Sequence, residues 1–164
     1  MKIFGIDPGS RITGYGVINS KGNKSSHIGS GVIQTKEKDF QKRLKVIFTE
    51  IETLVDEYQP DVVAIENVFM HRNPDSALKL GQARAAAICG TFKQGLTVFE
   101  YAAREVKQAV VGSGAAEKEQ VQYMVKIILD IKNKELKLDE SDALAIAICH
   151  AHSYSMNKKI GNNN

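Results

Sequence analysis

The sequence predicts a single α/β domain built on a five-stranded mixed sheet with helices on both faces. Three observations carry this. The first 34 residues hold three strand-like runs joined by turns of a few residues. The remainder switches between helical and strand periods, and the first of its strands has an almost unbroken apolar centre. A strand of that kind is covered on both faces. Finally, 164 residues, 43% of them hydrophobic, suffice for one core and are short for two.

The elements follow in order. Residues 2–7 (KIFGID) read as a buried strand, and Pro8-Gly9-Ser10 marks a sharp turn after it. Residues 13–19 alternate into a second strand, Lys21-Gly22-Asn23 forms a hairpin turn, and residues 27–34 make a third strand. Turns this short imply an antiparallel meander. Phe40, Leu44, Ile47, Phe48, Ile51, Leu54, Val55 and Tyr58 then recur at three- and four-residue steps, the apolar face of an amphipathic helix that Pro60 ends. Residues 61–66 (DVVAIE) form the fourth strand.

After a polar stretch, Ser76 is expected to cap an Ala- and Gly-rich helix starting at Ala77 and ended by Gly95. Residues 97–101 give the fifth strand. Helices are expected over 102–111 and 116–129, separated by Gly112-Ser113-Gly114, and a charged loop over 130–138 precedes a last helix over 139–152. Residues 1–155 are read as one domain and 156–164 as a disordered polar tail. The order β-β-β-α-β-α-β-α-α-α is that of the ribonuclease H-like fold, although several folds share it.

Charge and cysteine content bound the partners. The N-terminus is too short and mixed for a signal peptide, and no apolar run approaches the roughly 20 residues of a membrane helix. A cytoplasmic protein is expected, with Cys89 and Cys149 as buried thiols. The net charge is +3. With four of its 19 acids engaged by metal, 22 basic residues would face 15 acids, a surplus suited to a phosphate backbone.

Four acids fall at element ends. Asp7 closes the first strand and Glu66 the fourth, and strand ends of this kind gather ligands in open α/β sheets. Asp139 and Asp142 are three residues apart at the start of the last helix and share a face. Each has a plain reading alone, as turn former, solvent-facing acid, helix cap or dipole complement. Together they describe carboxylates side by side, which repel unless a cation compensates. Mg²⁺ prefers hard oxygen ligands, and two such ions about 4 Å apart can serve phosphodiester hydrolysis.

These residues sit in blocks that resemble the RuvC family of Holliday-junction resolvases. GIDPGSRITGYGVI around Asp7, AIENVFM around Glu66 with NPDSALKLGQARA after it, FEYAAREVKQAVVGSGAAEKEQV, and DESDALAIAICH occur in the family's order and cover nearly the whole chain. The resemblance implies a ribonuclease H-like nuclease domain. It implies a homodimer that binds four-way DNA junctions and nicks two opposed strands symmetrically with Mg²⁺, in recombination and repair, with Mn²⁺ as a substitute. It maps the catalytic and metal-binding acids onto Asp7, Glu66, Asp139 and Asp142, with His in place of Asp139 in some relatives. A branch-migration motor is implied as a partner in the same way.

Other residues are candidates for holding DNA. Phe69, in the loop after Glu66, could stack on an unpaired base or cover the core. Lys107 and Lys118 flank the Gly112-Ser113-Gly114 break, where the resemblance places them against phosphates near the cut and as catalytic cations. Arg72, Lys79, Arg84 and Arg104 are candidates for backbone contact, and Ser113 with its glycines for a phosphate-binding N–H nest. Gly81 and Ala85 give the preceding helix a small-residue face for close packing, within the chain or across a dimer axis. His150 and His152 read as surface or helix-end residues. Rival readings are a ribonuclease or integrase-like nuclease, a non-catalytic junction binder, and a fragment of an actin-like ATPase. The last needs two large lobes that this chain is too short to supply.

Overall fold

The computed structural model describes residues 1–22, 24–67 and 73–161, with side chains through Met156. Its centre is a five-stranded sheet in the order β3-β2-β1-β4-β5. The strands are β1 (Lys2–Asp7), β2 (Ile12–Lys21), β3 (Lys24–Gln34), β4 (Val62–Glu66) and β5 (Val98–Tyr101). The expected meander is present: β1 pairs antiparallel with β2, and β2 with β3. The crossovers then place β4 parallel to β1 and β5 parallel to β4.

The helices are α1 (Phe40–Tyr58), α2 (Pro74–Cys89), α3 (Ala103–Val111), α4 (Lys118–Ile128) and α5 (Leu138–Gly161). Side chains alternate across a strand, so β1, β2, β4 and β5 each feed two cores. Phe4 and Ile6 of β1 join Val63 and Ile65 of β4 under α1 and α2, where Ile47, Ile51, Val55, Ala83 and Ala87 close over them. Ile3 and Ala64 face the other way, toward α3, α4 and α5. Residues 143–151 of α5 are all buried. A helix apolar all round belongs between layers, and α5 lies between the sheet and the pair α3 and α4.

Three glycines let α5 lie directly on the strands. A Cβ at Gly5 would stand 2.1 Å from the Ala143 carbonyl oxygen, one at Gly14 1.9 Å from that of Asp139, and one at Gly16 2.7 Å from the Leu144 side chain. These are distances no side chain tolerates, so the sheet meets the first turns of α5 backbone to backbone.

The boundaries differ from expectation in places with identifiable causes. Helix α2 starts earlier, because Asn73 and not Ser76 is its cap. The Asn73 side chain accepts from the N–H groups of Asp75 at 3.0 Å and Ser76 at 3.4 Å. Pro74 follows at the first helical position, where its missing N–H is not needed. The helix ends at Cys89, and Gly95 instead closes a short 3₁₀ turn over Phe92–Gln94. Helix α5 runs past His152 to Gly161. The interval holds no proline to stop the helix, and Ser155 Oγ donates to the Gly22 carbonyl at 3.1 Å.

Two side chains lie opposite to their expected side. Cys149 is buried, and burial pushes its thiol up to about 12, but Cys89 is exposed. Apolar residues at helical spacing show that a face exists, not that this chain covers it. His150, expected at the surface, is buried, with Nδ1 2.7 Å from the Tyr101 hydroxyl and its ring 4.5 Å from that of Phe99. His152, two residues on and therefore on another face, is exposed. Among the described residues, no helix is long and apolar enough to cross a membrane.

Candidate active site

Strand parity decides where Asp7 and Glu66 point. Asp7 shares the β1 face of Ile3 and Gly5, and Glu66 shares the β4 face of Ala64, so both turn toward α5. The parallel register aligns Gly5 with Ala64 and Ile6 with Ile65, which makes Asp7 and Glu66 the next neighbours at the carboxyl end of the sheet. Asp142 reaches the same place from the first turns of α5, one helical turn before Ile146. The three acids line one cavity of about 220 Å³ with Lys107, Lys118, Val106, Val121 and Ile146.

The turn after Asp7 is held tightly. Thr13 Oγ1 donates to the Gly9 carbonyl at 2.8 Å, and a Cβ at Gly9 would stand 2.1 Å from the Ile12 carbonyl oxygen. The chain can leave β1 this sharply only with glycine there.

Electrostatics follow from this crowding. Burial, with Glu66 and Asp142 close by, pushes the Asp7 carboxyl from 3.8 up to about 8, against the opposing pull of Lys118. Burial and Asp142 also push Glu66 up, while Lys118 and Lys107 pull it down. Lys118 Nζ donates to Asp142 Oδ2 at 2.5 Å. Burial works against the charge on Lys118, but Asp142, Asp7 and Asp139 outweigh it and its pKa is raised. Asp139 does not line the cavity, although its charge is felt at Asp7.

The donor set fits a hard divalent cation: three converging carboxylates, no soft ligand, and one carboxyl that burial holds protonated near neutrality. Among the described residues, no group of three acidic, histidine or cysteine side chains is gathered closely enough to hold an ion as it stands. The Asp142 carboxylate is turned to the Lys118 ammonium.

The other candidates separate. Arg104 is exposed, its stem packed where a Cβ on Gly114 would stand 2.4 Å from Arg104 Cγ. Lys79 pairs with Asp75 at 2.7 Å along α2. Arg84 is turned inward: its Nε donates to the Glu66 carbonyl at 3.2 Å, and Nη2 pairs with Glu100 at 2.5 Å. These contacts brace the end of β4. Phe69 and Arg72 lie outside the described residues. In the Gly112-Ser113-Gly114 break, the Gly114 N–H is taken by Gln108 Oε1 at 3.1 Å, while Gln108 Nε2 donates to the Gly112 carbonyl at 2.8 Å. Gln108 thus holds the break that separates Lys107 from Lys118.

A family model described as crossover junction endodeoxyribonuclease RuvC matches residues 3–150, which contain every acid of this cavity. The chain belongs to the RuvC family. A crossover junction endodeoxyribonuclease RuvC of Sodalis glossinidius is 56% identical over 142 residues, 87% of this chain and 82% of that protein. One from Marinobacter nauticus is 55% identical over the same share of this chain and 81% of its own. The RuvC of Thermus thermophilus superimposes with a TM-score of 0.86 at 34% identity, covering 96% of this chain and 97% of that one. The same RuvC in complex with a Holliday junction substrate gives 0.88 at 33% identity, with 96% of both chains covered. The yeast mitochondrial resolvase Ydc2, at 15% identity and a TM-score of 0.68, shares the fold. RuvC membership makes the ribonuclease H-like sheet the expected one and carries endodeoxyribonuclease activity with it.

Proposed function

We propose that this chain resolves four-way DNA junctions by hydrolytic nicking of opposed strands, with Asp7, Glu66 and Asp142 holding Mg²⁺ and Asp139 supporting it. The observation that carries this reading is the convergence of carboxylates from β1, β4 and α5 with Lys107 and Lys118 on one cavity. Binding alone gains nothing from clustered negative charge beside a polyanion. Clustered acids raise the cost of an empty site and lower the cost of a cation. Bound there, such an ion supplies Lewis-acid activation of a water and of the scissile phosphate. Mn²⁺, which takes the same oxygen ligands, is expected to substitute.

The chain's own residues do the rest. Asp7 and Glu66 orient the site from adjacent strand ends. Lys118, paired with Asp142 at the mouth of this cavity, would offset charge that develops on the phosphate in the transition state. Lys107 does the same from α3. Phe69, following Glu66 in sequence, is proposed to stack on a base opened at the junction centre, and Arg72 to contact the DNA backbone.

A homodimer is proposed on the exposed side of α2. Leu78, Gly81, Ala85 and Cys89 form one exposed stripe at helical spacing, and exposed Phe92 follows the helix. Two copies related by a two-fold axis would match the symmetry of a four-way junction. A branch-migration motor as partner rests on family membership.

The experiment compares a synthetic four-way junction, a matched duplex and an RNA–DNA hybrid, each with Mg²⁺ or EDTA. Paired symmetric nicks on the junction alone, dependent on Mg²⁺, are expected. Cutting of the hybrid would transfer the assignment to a ribonuclease. In the same assay Lys118→Met is expected to slow single-turnover cleavage by about 10²-fold with junction binding nearly intact. A rate equal to wild type would return Lys118 to a charge partner of Asp142 only.

A further inference from the structure

We infer that Glu140 is a positioning residue for the metal-binding acids of α5, acting with Lys134 and Ser30; this rests on the reading of the site given above. Glu140 stands between Asp139 and Asp142 in sequence but faces away from them, into the protein. It is 3% exposed, an unusual place for a carboxylate. Both of its oxygens are engaged. Oε2 accepts from the Lys137 N–H at 3.2 Å. Lys137 precedes the first residue of α5, so this is the reach-back of a glutamate at the third helical position to the cap N–H. Oε1 pairs with Lys134 Nζ.

Lys134 carries the tether further. Its ammonium also donates to the Ser30 carbonyl at 3.1 Å and to Ser30 Oγ at 3.2 Å. Ser30 Oγ is in turn 2.6 Å from His27 Nε2. One buried carboxylate therefore caps α5, holds the loop before it, and ties both to β3 at the edge of the sheet.

The consequence is geometric. From below, the first turn of α5 is set by the backbone contact between Gly14 and Asp139. That contact limits how close the helix comes and does not stop it from fraying or sliding. The Glu140 tether supplies the missing restraint at the turn that carries Asp139 and Asp142. A metal site tolerates little displacement of its ligands, and a misplacement of about 1 Å can lower a rate about 10²-fold. With α5 starting at Leu138 and not at Asp139, Glu140 takes the capping-box position, six residues after Lys134 of the charged loop.

The test uses the full-length chain on a synthetic four-way junction. Glu140→Ala is expected to lower single-turnover cleavage by about ten-fold or more and to raise the Mg²⁺ concentration giving half-maximal rate. Junction binding in EDTA, read by fluorescence anisotropy, should stay near wild type. Amide exchange over residues 138–142 should speed up while that of β1 and β4 stays protected. Glu140→Gln retains an acceptor for the Lys137 N–H and should recover most of the rate. Lys134→Ala should act in the same direction, and the double variant should be no worse than Glu140→Ala alone. Wild-type cleavage and metal dependence in a folded Glu140→Ala protein would overturn the inference, as would loss of protection spread over the whole sheet. Failure of the wild-type chain to cut the junction would instead remove the reading of the site itself.

Discussion

Asp7→Asn is expected to lower cleavage by about 10³-fold or more, since on the proposed reading it removes a cation ligand worth several kcal/mol of transition-state stabilisation, at about 1.4 kcal/mol per factor of ten. Junction affinity in EDTA should hold or increase, because the substitution removes negative charge beside a polyanion and no phosphate contact. Loss of binding in a folded variant would count against the assignment of Asp7.

The same substitution has a second, opposite effect on stability. The Asp7 carboxyl of the folded protein titrates at about 8, against 3.8 for an unperturbed Asp. Between those values the folded, metal-free chain holds a proton that the unfolded chain has released. Stability is therefore present at low pH and lost as pH rises through about 8. Asparagine has no proton to lose. In EDTA above pH 8, Asp7→Asn should melt higher than wild type, at about 2–4 °C per kcal/mol for a chain of this size. Near pH 5 the difference should shrink. Equal melting temperatures at both pH values would show that Asp7 is not held in a costly position. Mg²⁺ should reverse the order by stabilising only wild type, and its apparent affinity should rise with pH as the Asp7 proton is displaced more easily.

Gly14→Ala is expected to damage both stability and cleavage. The new Cβ would stand 1.9 Å from the Asp139 carbonyl oxygen and 3.2 Å from the Glu140 nitrogen. Neither side can give easily. β2 is paired on both edges, and α5 is backed by α3 and α4. Overpacking of this kind costs about 1–3 kcal/mol. The start of α5 is displaced by it, so cleavage should fall by about 10²-fold even at temperatures where the protein remains folded. Denaturant unfolding and single-turnover kinetics check the two parts. Unchanged values for both would place α5 further from the sheet than the glycine cradle requires.

Much of this molecule was legible from the chain alone. Period-two alternation marked β2, and three- and four-residue steps marked α1, because burial on one face leaves that imprint on composition. Asp7 and Glu66 could be placed at strand ends, and parity then gives their common direction once the two strands are neighbours. The four sequence blocks carried the family, since residues around a reactive centre are constrained in type and in spacing together.

What the tertiary structure decided was which elements touch. The parallel pairing of β1 with β4, the seating of α5 on Gly5, Gly14 and Gly16, and the engagement of Asp142 by Lys118 are long-range contacts that no local pattern records. The same holds for Arg84, whose charge suggested DNA and whose partners are the Glu66 carbonyl and Glu100. It holds equally for His150, buried against Tyr101, and for Cys89, left on an uncovered face. The physical reason is the same throughout. Local sequence sets the period and chemistry of each surface, while burial and pKa depend on which surface of another element arrives to meet it.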